Sequence, residues 1–143
     1  MITIYTDGGS RGNPGPAASG FSILDETGKE VAGIGIRLGI TTNNIAEYTA
    51  LIEALKWLNS HREIIDNSSG IHVKMDSQLI CSQMQGVYRV KHPNMIPLYE
   101  EVQKQIALVG KPVTFQHIPR EQNKRADQLV NQALDNISSS SLQ

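Results

Sequence analysis

Four acidic side chains stand where a carboxylate is hard to explain as solvated surface. Asp7 closes the run Ile2-Thr3-Ile4-Tyr5-Thr6, which reads as a strand, and Asp76 closes a second such run, Ile71–Met75. Turn or helix signals follow each directly. In open α/β sheets, ligands gather at the carboxyl ends of strands, so these two acids become neighbours if their strands lie adjacent and parallel. Glu47 and Asp127 belong to helical stretches instead. Glu47 lies 4 and 8 residues before Leu51 and Leu55, and Asp127 lies 3 and 7 before Val130 and Leu134, which places each acid on an apolar stripe. A carboxylate facing a core is costly unless it is paired or holds a cation. Each position has a plain alternative: an acid near a helix start favours the macrodipole, and Glu47 could close a capping box with Asn44. For all four together, the plain account needs four independent coincidences.

Carboxylates without cysteine or paired histidine are hard oxygen ligands, and they select Mg²⁺ or Mn²⁺ over Zn²⁺. Three or four of them can hold two such ions ~4 Å apart. Such a pair activates a water and stabilises the departing oxygen of an in-line phosphoryl displacement, which is phosphodiesterase chemistry without a protein nucleophile. The four histidines, at 61, 72, 92 and 117, show no metal-ligand spacing.

The elements that must position these groups follow from hydrophobic period and turn chemistry. The first strand runs into the turn cluster Gly8–Pro16, and residues 18–25 and 30–38 read as a hairpin around Glu26-Thr27-Gly28-Lys29. Residues 43–60 carry the helical stripe Tyr48, Leu51, Ile52, Leu55 and Leu58, with Asn44 as the expected N-cap. The strand 71–75 precedes a helix over 78–85. Pro97 sits in the first turn of a helix ending near Val109, and a strand covers 113–118. The last helix spans 123–137. The order β-β-β-α-β-α-α-β-α predicts an α/β fold with a mixed sheet, antiparallel first and parallel later, and helices on its faces.

At 143 residues and 39% hydrophobic the chain is one domain, expected over 1–137 with a disordered serine-rich tail at 138–143. The lone Cys81 excludes a disulfide framework. No apolar run approaches a membrane span and no signal peptide is evident, so the expectation is a cytoplasmic protein without a membrane or obligate protein partner, and monomeric. A net charge of −1 argues at first against nucleic acid. If the four acids hold cations, thirteen basic residues face only ten other acids, and residues 85–125 carry seven basic against three acidic. That balance suits phosphate contact beside the site.

Thr6-Asp7-Gly8-Gly9 leads into Gly12-Asn13-Pro14-Gly15-Pro16. Further on come Thr41-Thr42-Asn43-Asn44-Ile45-Ala46-Glu47, Met75-Asp76-Ser77-Gln78 and Asn123-Lys124-Arg125-Ala126-Asp127. In this order the chain resembles type 1 ribonuclease H over residues 1–137. The resemblance implies a ribonuclease H-like fold with five strands in the order 3-2-1-4-5. It implies Mg²⁺-dependent hydrolysis of the RNA strand of an RNA/DNA hybrid, with two ions (Mn²⁺ as substitute) and 5′-phosphate and 3′-hydroxyl products. It assigns Asp7, Glu47, Asp76 and Asp127 as the catalytic, metal-binding carboxylates. It carries substrate contact to Gly8, Ser10, Asn13, Thr42, Asn43, Asn44 and Gln78, whose amides and hydroxyls suit a minor groove marked by 2′-hydroxyls.

The chain departs from the family pattern in two places. The loop before the last helix is compressed to Ile118-Pro119-Arg120-Glu121-Gln122, so the family's loop histidine has no counterpart there; His117 falls within the strand, and Arg120 is the expected substrate-side cation. The family's basic, tryptophan-bearing handle is missing, since residues 77–112 contain no Trp; Trp57 is expected to pack in the first helix. The compact form resembles archaeal and retroelement-type members. Two alternatives stay open: the same fold with a broader substrate range, including RNA duplexes or RNA–DNA junctions, and a weakly catalytic hybrid-binding module.

Overall fold

The computed structural model describes residues 1–141, with side chains through Asp135. Strands β1 (Ile2–Ser10), β2 (Gly15–Leu24) and β3 (Glu30–Thr41) form an antiparallel meander, and β4 (Ile71–Met75) and β5 (Val113–His117) extend it in parallel. The sheet order is β3-β2-β1-β4-β5, as expected. Gly15 pairs with Thr41, so the hairpin is three residues longer at this end than the alternation of residue types suggests. The parallel register ends with Thr6 beside Met75, so Asp7 and Asp76, the next residue on each strand, lie side by side where β4 stops and β1 continues against β2.

Helix α1 (Asn43–Asn59) covers one face. Its stripe Tyr48, Leu51, Leu55 and Leu58 is buried against Ile2 and Ile4 of β1, Phe21 and Ile23 of β2, and Val73 of β4. Each such fully buried side chain contributes about 1.5–3 kcal/mol relative to exposure. Helix α4 (Ile96–Val109) packs on α1, and the short α3 (Gln78–Met84) carries the buried Cys81. On the opposite face, α5 (Lys124–Ser141) lies over β1, β2 and β3, burying Val130, Ala133 and Leu134 against Ala18. No helix among the described residues is long and apolar enough to cross a membrane.

Three local expectations are corrected. The N-cap of α1 is Thr42, not Asn44: its backbone is extended (φ −97°, ψ 162°) and its Oγ1 accepts from the Ile45 N–H at 3.3 Å. Both residues have capping side chains, and the apolar stripe does not fix where the helix begins. Glu47 therefore lies beyond the first turn and closes no capping box. The short α2 (Arg62–Asp66) has too little periodicity to be foreseen. The first strand does not close at Asp7: β1 continues through Gly8, Gly9 and Ser10, which pair with β2, so the turn begins only at Arg11. Helix α5 is described through Ser141, and the last two residues of the tail expected at 138–143 lie outside those described. Trp57 packs partly against the core and stacks on His61, with ring centroids 3.7 Å apart.

Candidate active site

Close backbone approach brings the four carboxylates together. A Cβ on Gly8 would lie 2.3 Å from the Ala46 carbonyl carbon and 2.4 Å from the Glu47 nitrogen, so only glycine lets α1 press onto β1 here. The Ser19 hydroxyl fastens the same turn by donating to the Ala46 carbonyl at 2.7 Å. On the other face, a Cβ on Gly20 would lie 2.7 Å from the Ala126 carbonyl, so the start of α5 sits directly on β2. Glu47 and Asp127 thus arrive beside Asp7 from opposite faces of the sheet.

Asp7, Glu47 and Asp76 offer oxygens that all lie within 4.8 Å of one another, and they form the one such metal-capable group among the described residues. Asp7 is 7% exposed. Its burial, the Asp76 carboxylate and Asp127 push its carboxyl up to about 7, against the Gly8 N–H and Arg120, which lower it. Burial also pushes Glu47 well above the ordinary carboxylate range, with Asp7 and Asp76 adding to the rise. Asp127 stands beside the three, with Arg120 Nη2 3.8 Å from its Oδ1. The four acids line one cleft of about 530 Å³ with Gly8, Gly9, Ser10 and Asn43.

Like charges crowded this closely into a half-buried site repel, and among the described residues no lysine or arginine makes an ion pair with Asp7, Glu47 or Asp76. An all-oxygen donor set of this kind fits a divalent cation such as Mg²⁺ or Mn²⁺.

The family model described as Reverse transcriptase-like matches residues 5–133. The chain is similar to Ribonuclease H of Hydrogenovibrio crunogenus, at 32% identity over 147 aligned positions, covering 95% of this chain and 97% of that one. The chain belongs to the ribonuclease H family. It is 39% identical to Ribonuclease HI of Halobacterium salinarum, covering 94% of this chain and 64% of that protein. It spans between 35% and 64% of the length of the first curated relatives it matches. Among solved structures, LC11-RNase H1 in complex with RNA/DNA hybrid is 45% identical with a TM-score of 0.88, covering 96% of this chain and 99% of that one.

Within this ribonuclease H-family site, the residues expected to meet substrate divide into two groups. Ser10, Asn13 and Asn43 form one linked rim. The Asn43 Oδ1 accepts from the Ser10 N–H at 2.8 Å and the Ser10 hydroxyl at 3.0 Å, while the Asn43 N–H donates to Asn13 Oδ1 at 3.0 Å. Both asparagine oxygens are engaged inside the protein, which turns their NH₂ groups toward solvent as donors. Ser10, Asn43, Gly8 and Arg120 line the carboxylate cleft. Thr42, Asn13 and Asn44 line a separate shallow groove with Leu79, Gln83 and His92. Gln78 opens α3 exposed and lines neither. His117 ends β5, exposed, and is absent from the cleft lining.

Two side chains of the site had no role in the sequence reading. Asn123 is fully buried, and its Nδ2 donates to the Thr6 carbonyl at 2.8 Å and approaches Asp76 Oδ2 at 3.4 Å. It ties the approach to α5 to both acid-bearing strands. Arg11, in the turn after β1, lines the cleft and pairs with Asp135 of α5. Asn123 was visible only as part of a motif, and Arg11 only as one residue of a turn cluster.

Proposed function

We propose that the chain is a metal-dependent endoribonuclease that hydrolyses the RNA strand of RNA/DNA hybrids, leaving 5′-phosphate and 3′-hydroxyl ends. The observation that carries this reading is the convergence of Asp7, Glu47 and Asp76 within 4.8 Å, with no ion pair to any of the three among the described residues. Asp7, Glu47 and Asp76 would hold Mg²⁺, or Mn²⁺ in its place, with Asp127 completing the set; two ions suit a set of this size. Bound there, divalent cations supply an activated water and stabilise charge on the leaving oxygen. The likeness to Ribonuclease HI proteins and to a neighbour solved with RNA/DNA hybrid supports the substrate class.

The chain's own residues do the remaining work. Asn123 holds Asp76 and β1 at Thr6 in register through one amide. Asn43 and Asn13, with oxygens already engaged, present NH₂ donors beside the cleft, where an RNA 2′-hydroxyl or a groove-edge acceptor can take them. Thr42 and Asn44 extend this polar rim along the neighbouring groove, and Gln78 stands exposed at the start of α3. Arg120, with its side chain 82% exposed, supplies positive charge opposite Asp127. The chain acts as a monomer; a scattering mass near twice 15.7 kDa contradicts that.

The test is cleavage of RNA/DNA, RNA/RNA and DNA/DNA duplexes of one sequence, with and without Mg²⁺. The expected result is cutting of the RNA strand of the hybrid alone, and only with the ion. Equal cutting of RNA/RNA replaces the reading with a broader nuclease. Hybrid binding without turnover in Mg²⁺ or Mn²⁺ replaces it with a binding module.

A further inference from the structure

Two guanidinium groups line the carboxylate cleft, those of Arg120 and Arg11. A phosphodiester strand entering beside four acids brings more negative charge, so cations on the cleft wall decide how its flanking phosphates are held. Arg11 differs from Arg120 in making a short hydrogen bond, where Arg120 approaches Asp127 no closer than 3.8 Å. The Arg11 Nη2 donates to Asp135 Oδ1 at 2.6 Å, bridging the turn after β1 to α5.

The backbone beneath Arg11 is fixed. Its N–H donates to the Pro16 carbonyl at 2.8 Å, and a Cβ on Gly15 would lie 2.2 Å from the Arg11 carbonyl oxygen, so the turn closes tightly on itself. Asn13 ties the same turn to the start of α1. The head group is free by contrast: the side chains of Arg11 and Asp135 are 51% and 67% exposed. An ion pair that exposed contributes little net stability. A phosphate offers the guanidinium the same bidentate, charge-assisted partner that a carboxylate does. Asp135 is not part of the cleft lining, so releasing it leaves the carboxylate cluster undisturbed.

We propose that Arg11 is a phosphate-binding residue of the cleft and that Asp135 is its competitor: in the free protein Asp135 holds the guanidinium, and a backbone phosphate of the bound nucleic acid displaces it. The inference rests on the functional reading above and adds to it a substrate contact with a built-in restraint. The bridge lowers affinity for any phosphodiester strand and sets a threshold that a correctly seated substrate overcomes.

Opposite signs test this. With a short blunt RNA/DNA duplex as probe, and Ca²⁺ in place of Mg²⁺ to prevent turnover, Arg11→Gln weakens binding roughly three- to tenfold. It also lowers the slope of log K against log salt by about one. Asp135→Asn tightens binding roughly twofold and lowers KM in Mg²⁺ with kcat unchanged. The double variant binds like Arg11→Gln alone, because the competitor matters only while Arg11 is present. A bridge that merely braces the turn against α5 moves both single variants in the same direction, with matching losses of Tm. Variants that both weaken binding, or both leave it unchanged, overturn the inference while wild-type binding preserves the functional reading. Wild-type protein that neither binds nor cleaves the hybrid overturns that reading and this inference with it.

Discussion

Along the start of α1, Asn43 and Glu47 lie one helical turn apart and meet opposite conditions. Asn43 stands in the rim, where the Ser10 N–H, the Ser10 hydroxyl and Asn13 satisfy its backbone and its side-chain oxygen before any ligand arrives. Glu47 faces two other carboxylates, and only the Gly8 N–H works against its raised proton affinity. The rim is preorganised by bonds it already has; the cluster is preorganised by packing that holds like charges together. A site of the first kind reads shape. One of the second kind waits for cations.

The largest expected effect comes from removing one carboxylate of the cluster. Asp76→Asn lowers hybrid cleavage in Mg²⁺ by roughly a thousandfold or more, measured under single turnover. Next is the packing that forces the acids together. Gly8→Ala puts a methyl group into the Ala46–Glu47 backbone and lowers stability by about 3 kcal/mol, near 10 °C in Tm by calorimetry.

The cluster also predicts a pH dependence with a definite sign. Asp7 binds its proton more tightly folded than unfolded, with a native value of about 7. Its contribution to metal-free stability is complete below the ordinary carboxylate range and is lost as pH rises through about 7. Asp7→Asn therefore raises Tm relative to wild type at pH 8, on the order of 5 °C in chelator, and the gap closes toward pH 4. Thermal scans of the two proteins across pH check this. The rim gives the smallest effect: Thr42→Ala removes the α1 cap and costs about 1 kcal/mol, roughly 3 °C, at every pH.

The same contrast explains what was readable from residue order. Asp76 was visible because its strand ends just before it, Asp7 because a strand pattern gives way there to glycine although β1 continues to Ser10, and Glu47 and Asp127 because helical period puts them on apolar stripes. The sheet order followed from the family resemblance, and the parallel pairing of β1 with β4 makes the first two acids neighbours. The rim was visible only as residue types: which oxygen is engaged and which NH₂ is free depends on tertiary partners, as in the pairing of Ser10 with Asn43. Thr42 displaced Asn44 as the cap because both can cap and only backbone dihedrals separate them. Asn123 and Arg11 act through partners far along the chain, Thr6 and Asp135, and no local pattern announces such contacts.

The central claim is that the three converging carboxylates hold divalent metal, and anomalous diffraction from crystals grown with Mn²⁺ tests it most directly. The account predicts an anomalous peak bounded by the oxygens of Asp7, Glu47 and Asp76, absent from crystals of Asp7→Asn grown alongside. A wild-type map with Mn²⁺ in the crystal and no peak among these oxygens contradicts it.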